Sequence, residues 1–259
     1  MKGKRLAVVS LLSVAFLALI ANPVAAQSID SVTEGLIRGL NGRLLAIAIP
    51  ITVIVEGILF YTVWRFRNAE EAKPTRENRR LEITWTVATA IVLLFVGIAS
   101  YGVMANPNVT ATQQSIQSLN QSSSADPVVV NVTGHQWFWV FDYPGENVTV
   151  SAANGKHMVV PANRTLVIET SSADVIHSFH VPTLGLKMDA IPGRTNYIQT
   201  KIIHQGTYQL YCAEYCGAGH SKMLGTVDVR TSEEYQSWLD QQRGGNATAG
   251  GNATANASA

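Results

Sequence analysis

Two long apolar stretches constrain this chain more than any other feature. Leu44–Trp64 runs for 21 residues and Thr86–Met104 for 19, each close to the ~20 residues that carry a helix across the hydrocarbon core of a bilayer. Thr86–Met104 holds no charge, whereas helices of a soluble domain usually keep a polar face. A transmembrane hairpin is therefore favoured over two buried helices. Between the stretches, Arg65–Leu81 carries Arg65, Arg67, Lys73, Arg76, Arg79 and Arg80. Cationic residues at span ends stay on the cytoplasmic side, which predicts a cytoplasmic loop with both flanking segments on the external face. Composition agrees: 14% of the 259 residues are charged, against roughly 25% in an average soluble domain. Glu56 interrupts the first stretch. A carboxyl group at that depth is expensive, so it should face a protein neighbour or hold a proton; the sequence assigns it no role. Pro50 in the same stretch is a candidate kink.

Residues 1–26 read as a secretory signal. Lys2, Lys4 and Arg5 precede the apolar run Leu6–Ile20, and Pro23-Val24-Ala25-Ala26 supplies the small residues of a cleavage site. Cleavage after Ala26 would leave Gln27 first. An uncleaved anchor is the alternative, although the run is shorter than a span needs. Residues 27–105 then form the hairpin, and the Asn/Gln/Ser-rich residues 106–126 read as a linker.

From 127 to 231 the texture changes to short runs rich in Val, Ile, Thr, Tyr and Trp, punctuated by Gly, Pro and Asn. Val128–Val132, Trp137–Tyr143, Leu166–Thr170, Tyr197–Thr200, Tyr208–Tyr211 and Thr226–Val229 are expected strands. Strands so closely spaced predict an all-β sandwich or barrel. Ser232 is expected to cap a short helix over 232–243, with Glu233 and Glu234 in its first turn. Residues 244–259 read as a disordered tail. N-x-S/T sequons begin at Asn108, Asn120, Asn131, Asn147, Asn163, Asn246, Asn252 and Asn256. Each is weak alone, but their density on the external side predicts surface glycosylation and fits an archaeal or other secretory-type origin. The net charge of +1 offers no basic footprint for nucleic acid.

The only two cysteines, Cys212 and Cys216, are too few for a disulfide framework. They lie in Tyr211-Cys212-Ala213-Glu214-Tyr215-Cys216-Gly217-Ala218-Gly219-His220-Ser221-Lys222-Met223, where two thiols, an imidazole and a thioether crowd into one loop between expected strands. Gly217 and Gly219 would let that backbone fold back on itself. Soft sulfur donors with imidazole and a weak Met ligand select copper in electron-transfer sites. Three plainer readings stand beside it. A Cys212–Cys216 disulfide suits an oxidising compartment but leaves His220 and Met223 unexplained. Zinc takes Cys₂His₂ sets, although Met is not a usual ligand for it. Buried, unreactive cysteines are the third.

The pattern C-x-E-x-C-G-x-x-H-x-x-M resembles the copper A motif of cytochrome c oxidase subunit II, matched here by Cys212, Glu214, Cys216, Gly217, His220 and Met223. Asp174-Val175-Ile176-His177-Ser178-Phe179 is similar to the family's upstream ligand segment. The run from Val181 to Arg194 and the stretch Gly134-His135-Gln136-Trp137-Phe138-Trp139 also look like the family. The likeness covers both spans and the whole β-domain, leaving out only the signal, the linker and the tail. It implies a cupredoxin-like fold and a dinuclear copper A centre bridged by the Cys212 and Cys216 sulfurs. One copper would add His177 and Met223, and the other His220 and the main-chain carbonyl of Glu214. The Glu214 side chain would bind magnesium at the interface with subunit I.

The resemblance also implies electron input at Trp137, with Asp142 and Asp174 among the acidic residues attracting a cytochrome c. Trp137 and Trp139 would share a strand face, for which core packing is the ordinary explanation. Because the sequence is otherwise poor in acidic clusters, a blue-copper carrier is the alternative donor. Leu81-Glu82-Ile83-Thr84-Trp85-Thr86 resembles the segment whose carboxylate opens a proton path into subunit I; the plainer role for Glu82 is an acid favoured at a helix N-terminus. His180 is expected to face away from His177, His135 to be structural, and His157 and His204 to be surface residues. The expected assembly is a membrane oxidase with subunit I, which holds the oxygen-reducing site, and subunit III. A stand-alone copper carrier or a nitrogen-oxide reductase would need neither Glu82 nor a Glu214 facing a partner. A quinol oxidase subunit would lack the ligands present here.

Overall fold

The computed structural model describes residues 28–251, apart from 70, 72–73, 75 and 123–126; the expected signal and residues 252–259 lie outside the described residues. Two long helices come first: α1, Val32–Phe66, and α2, Arg79–Met104. Both are long and apolar enough to cross a membrane. Their large apolar side chains stand exposed along the spans, from Ile49 to Trp64 and from Leu81 to Met104, which is stable only where the surrounding medium is lipid.

At 1.5 Å per residue α1 is about 52 Å long, well over the ~30 Å of a hydrocarbon core. It begins twelve residues before the expected span because its start is strongly capped. Ser31 Oγ accepts from the Glu34 amide at 3.0 Å, and Glu34 Oε2 accepts from the Asp30 amide at 2.7 Å. The helix continues through Pro50. Glu56 is exposed on it.

The surplus first turns of α1 dock on the β-domain. Ser31 Oγ donates to the Leu184 carbonyl at 2.6 Å, and Thr33 Oγ1 lies 2.7 Å from both the Asn108 carbonyl and Thr200 Oγ1. Gly185 sits at φ 66, and a Cβ there would lie 3.1 Å from Glu34 Cα, so the site needs glycine for conformation and for space. His204, expected to be a surface residue, is exposed, and its Nδ1 pairs with Asp30 at 2.9 Å.

Residues 106–126, read as a linker, hold a short helix, α3, Gln113–Ser122. It is started by reciprocal bonds in which Ser115 N donates to Thr112 Oγ1 at 3.1 Å and Thr112 N to Ser115 Oγ at 2.9 Å. Ile116 buries its side chain.

Ten strands follow: β1 Val128–His135, β2 Phe138–Tyr143, β3 Val148–Ser151, β4 Met158–Pro161, β5 Thr165–Ser172, β6 His177–Val181, β7 Leu186–Ala190, β8 Asn196–Lys201, β9 Gly206–Cys212 and β10 Leu224–Arg230. They form two five-stranded sheets in the orders β3-β2-β1-β5-β8 and β4-β10-β9-β6-β7. The expected β-sandwich is thus the fold. Sequence periodicity found six of its strands; β3, β4, β6 and β7 are four or five residues long, too short to repeat a pattern.

The core between the sheets is built on Trp139, Phe141, Tyr143, Met158, Phe179 and Leu210. Tyr143 clips one sheet to the other. Its hydroxyl donates to the Val159 carbonyl at 2.9 Å and accepts from the Val159 amide at 2.8 Å.

The closing helix α4, Ser232–Gly251, outruns the expected end at 243 and enters the stretch read as a tail. Extending a nucleated helix costs little per residue. Its cap is Thr231, not Ser232: Glu234 N donates to Thr231 Oγ1 at 3.1 Å while Thr231 N donates to Glu234 Oε2 at 3.0 Å. This Thr-x-x-Glu capping box has no counterpart starting at Ser232, where the third residue on is Tyr235.

Tyr143→Phe should destabilise the chain by about 1–3 kcal/mol, because both Val159 backbone groups lose their buried partner; thermal melting of the detergent-solubilised chain measures it. Burial raises Tyr143 well above its ordinary value and raises Tyr235 to about 12. Both contributions to stability are intact below pH ~10, the unfolded tyrosine value, and are lost as pH rises above it, that of Tyr235 through about 12. Tyrosinate absorbance should therefore rise together with unfolding in that window.

Candidate metal centre

The antiparallel pairing of β9 with β10 projects the eleven residues between Cys212 and Leu224 from one end of the sandwich. Two backbone bonds anchor the loop. Cys212 N donates to the Met223 carbonyl at 3.1 Å and Ala213 N to the Ser178 carbonyl at 2.9 Å. Inside it, the 3-10 turn His220–Lys222 brings His220 and Met223 back over Cys216. The two glycines have different reasons. Gly217 sits at φ 113, which favours glycine; Gly219 has an ordinary φ of −91, but a Cβ there would lie 2.3 Å from Trp137 Cδ2.

The loop and β6 gather six donor atoms. Cys212 Sγ lies 3.8 Å from Cys216 Sγ, 3.8 Å from His177 Nδ1 and 3.1 Å from the Glu214 carbonyl oxygen. Cys216 Sγ lies 3.5 Å from His220 Nδ1 and 3.8 Å from Met223 Sδ. His177, Cys212, Cys216 and Met223 are buried. The sulfurs are free thiols, separated by more than the ~2.05 Å of a disulfide bond. Desolvation, reinforced by the neighbouring Cys212, pushes the Cys216 thiol up to about 12, so a metal must displace its proton on binding.

The chemistry of the set fits copper. Two thiols, two imidazoles, a thioether and a carbonyl oxygen in a buried cluster match the soft-ligand preference of copper in electron-transfer sites, and the thioether counts against zinc.

His177 opens β6 and is held from outside the cluster. Its Nε2 pairs with Asp174 Oδ1 at 2.8 Å, which turns Nδ1 toward the sulfurs. Burial pulls Asp174 upward, but its hydrogen bonds with His177, the Val175 amide and the Gln136 amide together hold it below the usual carboxylate value. Trp139 packs edge-on to the His177 ring at 6.0 Å. Gly134 on β1 makes room for that ring, since a Cβ there would lie 2.7 Å from His177 Cδ2. His180 is outside the cluster, with Nδ1 bonded to the Leu186 carbonyl at 2.9 Å.

Trp137 and Trp139 do not share a strand face. β2 begins at Phe138, so Trp137 sits in the β1–β2 turn and is 40% exposed, while Trp139 is fully buried. Trp137 covers Gly219, and its indole Nε1 donates to the Cys216 carbonyl at 3.2 Å. Gln136 Nε2 donates to the same oxygen at 2.8 Å. Gly134 and Gln136 thus support the cluster from far along the chain, Gln136 from 80 residues before Cys216, and no spacing rule connects them to it, whereas Asp174 acts on His177 from three residues away. His135 stacks on Phe138 and His157 is exposed. Asp142 is engaged by Asn131 and Thr149. Glu214 is exposed at the loop. Glu82 is exposed in the first turn of α2, remote from the cluster along a helix about 39 Å long.

The chain matches two family models: "Cytochrome C oxidase subunit II, periplasmic domain" over residues 149–229 and "Cytochrome C oxidase subunit II, transmembrane domain" over residues 24–103. It is 33% identical over 261 residues to cytochrome c oxidase subunit 2 of Cereibacter sphaeroides, covering 87% of this chain and 79% of that one. It is 30% identical over 215 residues to a probable cytochrome c oxidase subunit 2 of Rickettsia bellii, covering 76% and 75%. A crystal structure of the periplasmic domain of subunit II of cytochrome oxidase from Bradyrhizobium japonicum is 32% identical, with a TM-score of 0.44, covering 47% of this chain and 96% of that one.

The two space-making glycines predict separable defects. Gly134→Ala should push His177 off its position and lower copper affinity by about 10–100-fold, as loss of a supporting contact does. Gly219→Ala should displace Trp137, shift its fluorescence, and leave the ligand set able to bind copper. Copper titration and tryptophan emission of the purified chain check both.

Proposed function

The chain belongs to the cytochrome c oxidase subunit II family, and from that premise we propose that its loop cluster holds a dinuclear copper A centre and is the electron input of a haem–copper oxidase. The observation that carries this is the donor set: the Cys212 and Cys216 sulfurs, His177 Nδ1, His220 Nδ1, Met223 Sδ and the Glu214 carbonyl, gathered at one buried point. His177 and Met223 would join the two sulfurs in holding one copper, and His220 and the Glu214 carbonyl would join them in holding the other. Bound there, the copper pair supplies a one-electron relay from an external carrier to haem in subunit I, where oxygen is reduced to water and protons are pumped.

The residues of this chain have distinct tasks. Asp174 fixes the His177 ring. The sandwich core keeps water from the sulfurs. Trp137 offers an exposed indole that reaches the Cys216 carbonyl through one hydrogen bond, a short route from the surface to a ligand. Asp142 and Asp174 are engaged within the domain, whereas Val175 and Ile176 stand exposed beside Asp174. That apolar edge suits a blue-copper carrier as well as a cytochrome c. The exposed Glu214 carboxylate is a hard oxygen donor of the kind magnesium takes, to be completed by subunit I. Glu82, at the cytoplasmic end of α2, is the entrance of a proton path into subunit I. Subunits I and III pack on the lipid-embedded helices, and the β-domain faces outward.

Cys212→Ser or Cys216→Ser should abolish the dinuclear site, because each thiolate serves both metals. Met223→Leu should keep copper with an altered potential, since a weak axial ligand tunes more than it holds. Electron paramagnetic resonance of the copper-loaded chain should show one unpaired electron shared over two coppers. A four-line signal from one copper, or a single zinc, would sink the assignment.

Trp137→Phe and Glu82→Gln should fail at different steps. The first should slow copper reduction by the physiological donor without changing the copper spectrum. The second should slow oxygen uptake in the assembled oxidase while that first electron step stays normal, because an amide cannot carry the proton. Stopped-flow reduction beside steady-state oxygen uptake separates them. Normal uptake in Glu82→Gln returns that residue to an acid favoured at a helix N-terminus.

A further inference from the structure

Four sequons begin at residues whose side chains are described, and the fold treats them very differently. Asn131 lies in β1, which is bonded to β2 on one side and β5 on the other, and its Nδ2 donates to Asp142 Oδ2 at 3.3 Å. A sugar on that nitrogen would break the bond and stand in the face of the sheet. Asn108 is wedged at the helix–domain junction: its amide and Nδ2 both donate to Asn106 Oδ1, and its carbonyl accepts from Thr33. Asn163 is exposed, but its Nδ2 reaches the Ile203 carbonyl at 3.4 Å and its sequon threonine, Thr165, opens the inner strand β5.

Asn147 differs on each count. It is exposed at the tip of the β2–β3 hairpin with φ 52, and its side chain makes no hydrogen bond among the described residues. Its sequon threonine, Thr149, is exposed on β3, an edge strand, with its hydroxyl donating to Asp142 Oδ1 at 2.8 Å. The asparagine nitrogen is therefore free to solvent and the threonine stands on an open edge, so a bulky substituent on Asn147 breaks no hydrogen bond of its side chain.

We propose that Asn147 carries an N-linked glycan, a reading that rests on the external placement of the β-domain. Asn147 Nδ2 bonds to the anomeric carbon of a sugar carried on a polyprenyl phosphate or diphosphate. The carbon–oxygen bond to phosphate breaks, the lipid phosphate leaves with the electron pair, and one proton leaves Nδ2. No atom changes oxidation state. The position also decides what the sugar covers. β2 runs from Phe138, next to Trp137, to Tyr143, roughly 17 Å at strand rise. The glycan sits at the end of the sandwich away from the copper loop and leaves the donor face open.

The test uses the chain purified from its native membrane. Chymotryptic peptides cut between Asn131 and Asn147 should show a sugar mass on Asn147 and none on Asn131. Thr149→Ala should remove that mass and Thr149→Ser should restore it. Asn147→Gln should leave donor-driven copper reduction within about twofold of the parent, roughly 0.4 kcal/mol. A bare Asn147, or a sugar retained in Thr149→Ala, overturns the proposal. Labelling the exposed Lys156 in intact cells with a membrane-impermeant amine reagent separates the two failures. Labelled Lys156 with bare Asn147 defeats the glycan alone, whereas unlabelled Lys156 defeats the external placement and the glycan with it.

Discussion

The pairing of β9 between β6 and β10 is the constraint on which the metal cluster depends. Phe179 lies opposite Cys212 in one register and Tyr211 opposite Leu224 in the other. That alignment sets His177, at the head of β6, beside a cysteine 35 residues further along the chain. A slip of one residue would turn every side chain of a strand to the other face. The core protects the register: Phe179, Leu210 and Val227 are buried on the same sheet, and none could rotate outward without exposing apolar surface.

Given that frame, the loop needs little of its own to become a ligand cage. Its ends are tied by Cys212 N to the Met223 carbonyl and by Ala213 N to the Ser178 carbonyl, so His220 and Met223 are delivered by a short 3-10 turn. Support comes from the opposite sheet. The β1–β2 hairpin provides the space of Gly134, the amide of Gln136 and the cover of Trp137. Ligands held from two sheets change position little when the charge of a bound metal changes. That rigidity is what a rapid electron relay requires.

The same logic operates at the membrane. A helix of 35 residues is longer than a bilayer core, and the excess becomes a post on which the β-domain rests through Ser31, Thr33 and Gly185. These contacts are polar and largely buried, so they hold one orientation, whereas an apolar contact could slide.

Much of this was legible from residues in order. The two spans follow from sustained hydropathy, which only Glu56 breaks and no tertiary contact can alter. Cys212, Cys216, His220 and Met223 are legible because a loop of fixed spacing holds them together by covalent connection alone. His177 was reached only through a resemblance, since nothing local ties it to the loop. What tertiary structure alone decided depends on register and on turns. It placed Trp137 outside the strand and Trp139 in the core. It gave Gly219 a steric reason in place of a conformational one and paired His204 with Asp30. The Thr231 cap of α4 is local, a Thr-x-x-Glu box closed between residues three apart that the sequence carried unread; the others depend on turns and on atoms brought together across tens of residues, and composition and periodicity carry no record of such distances.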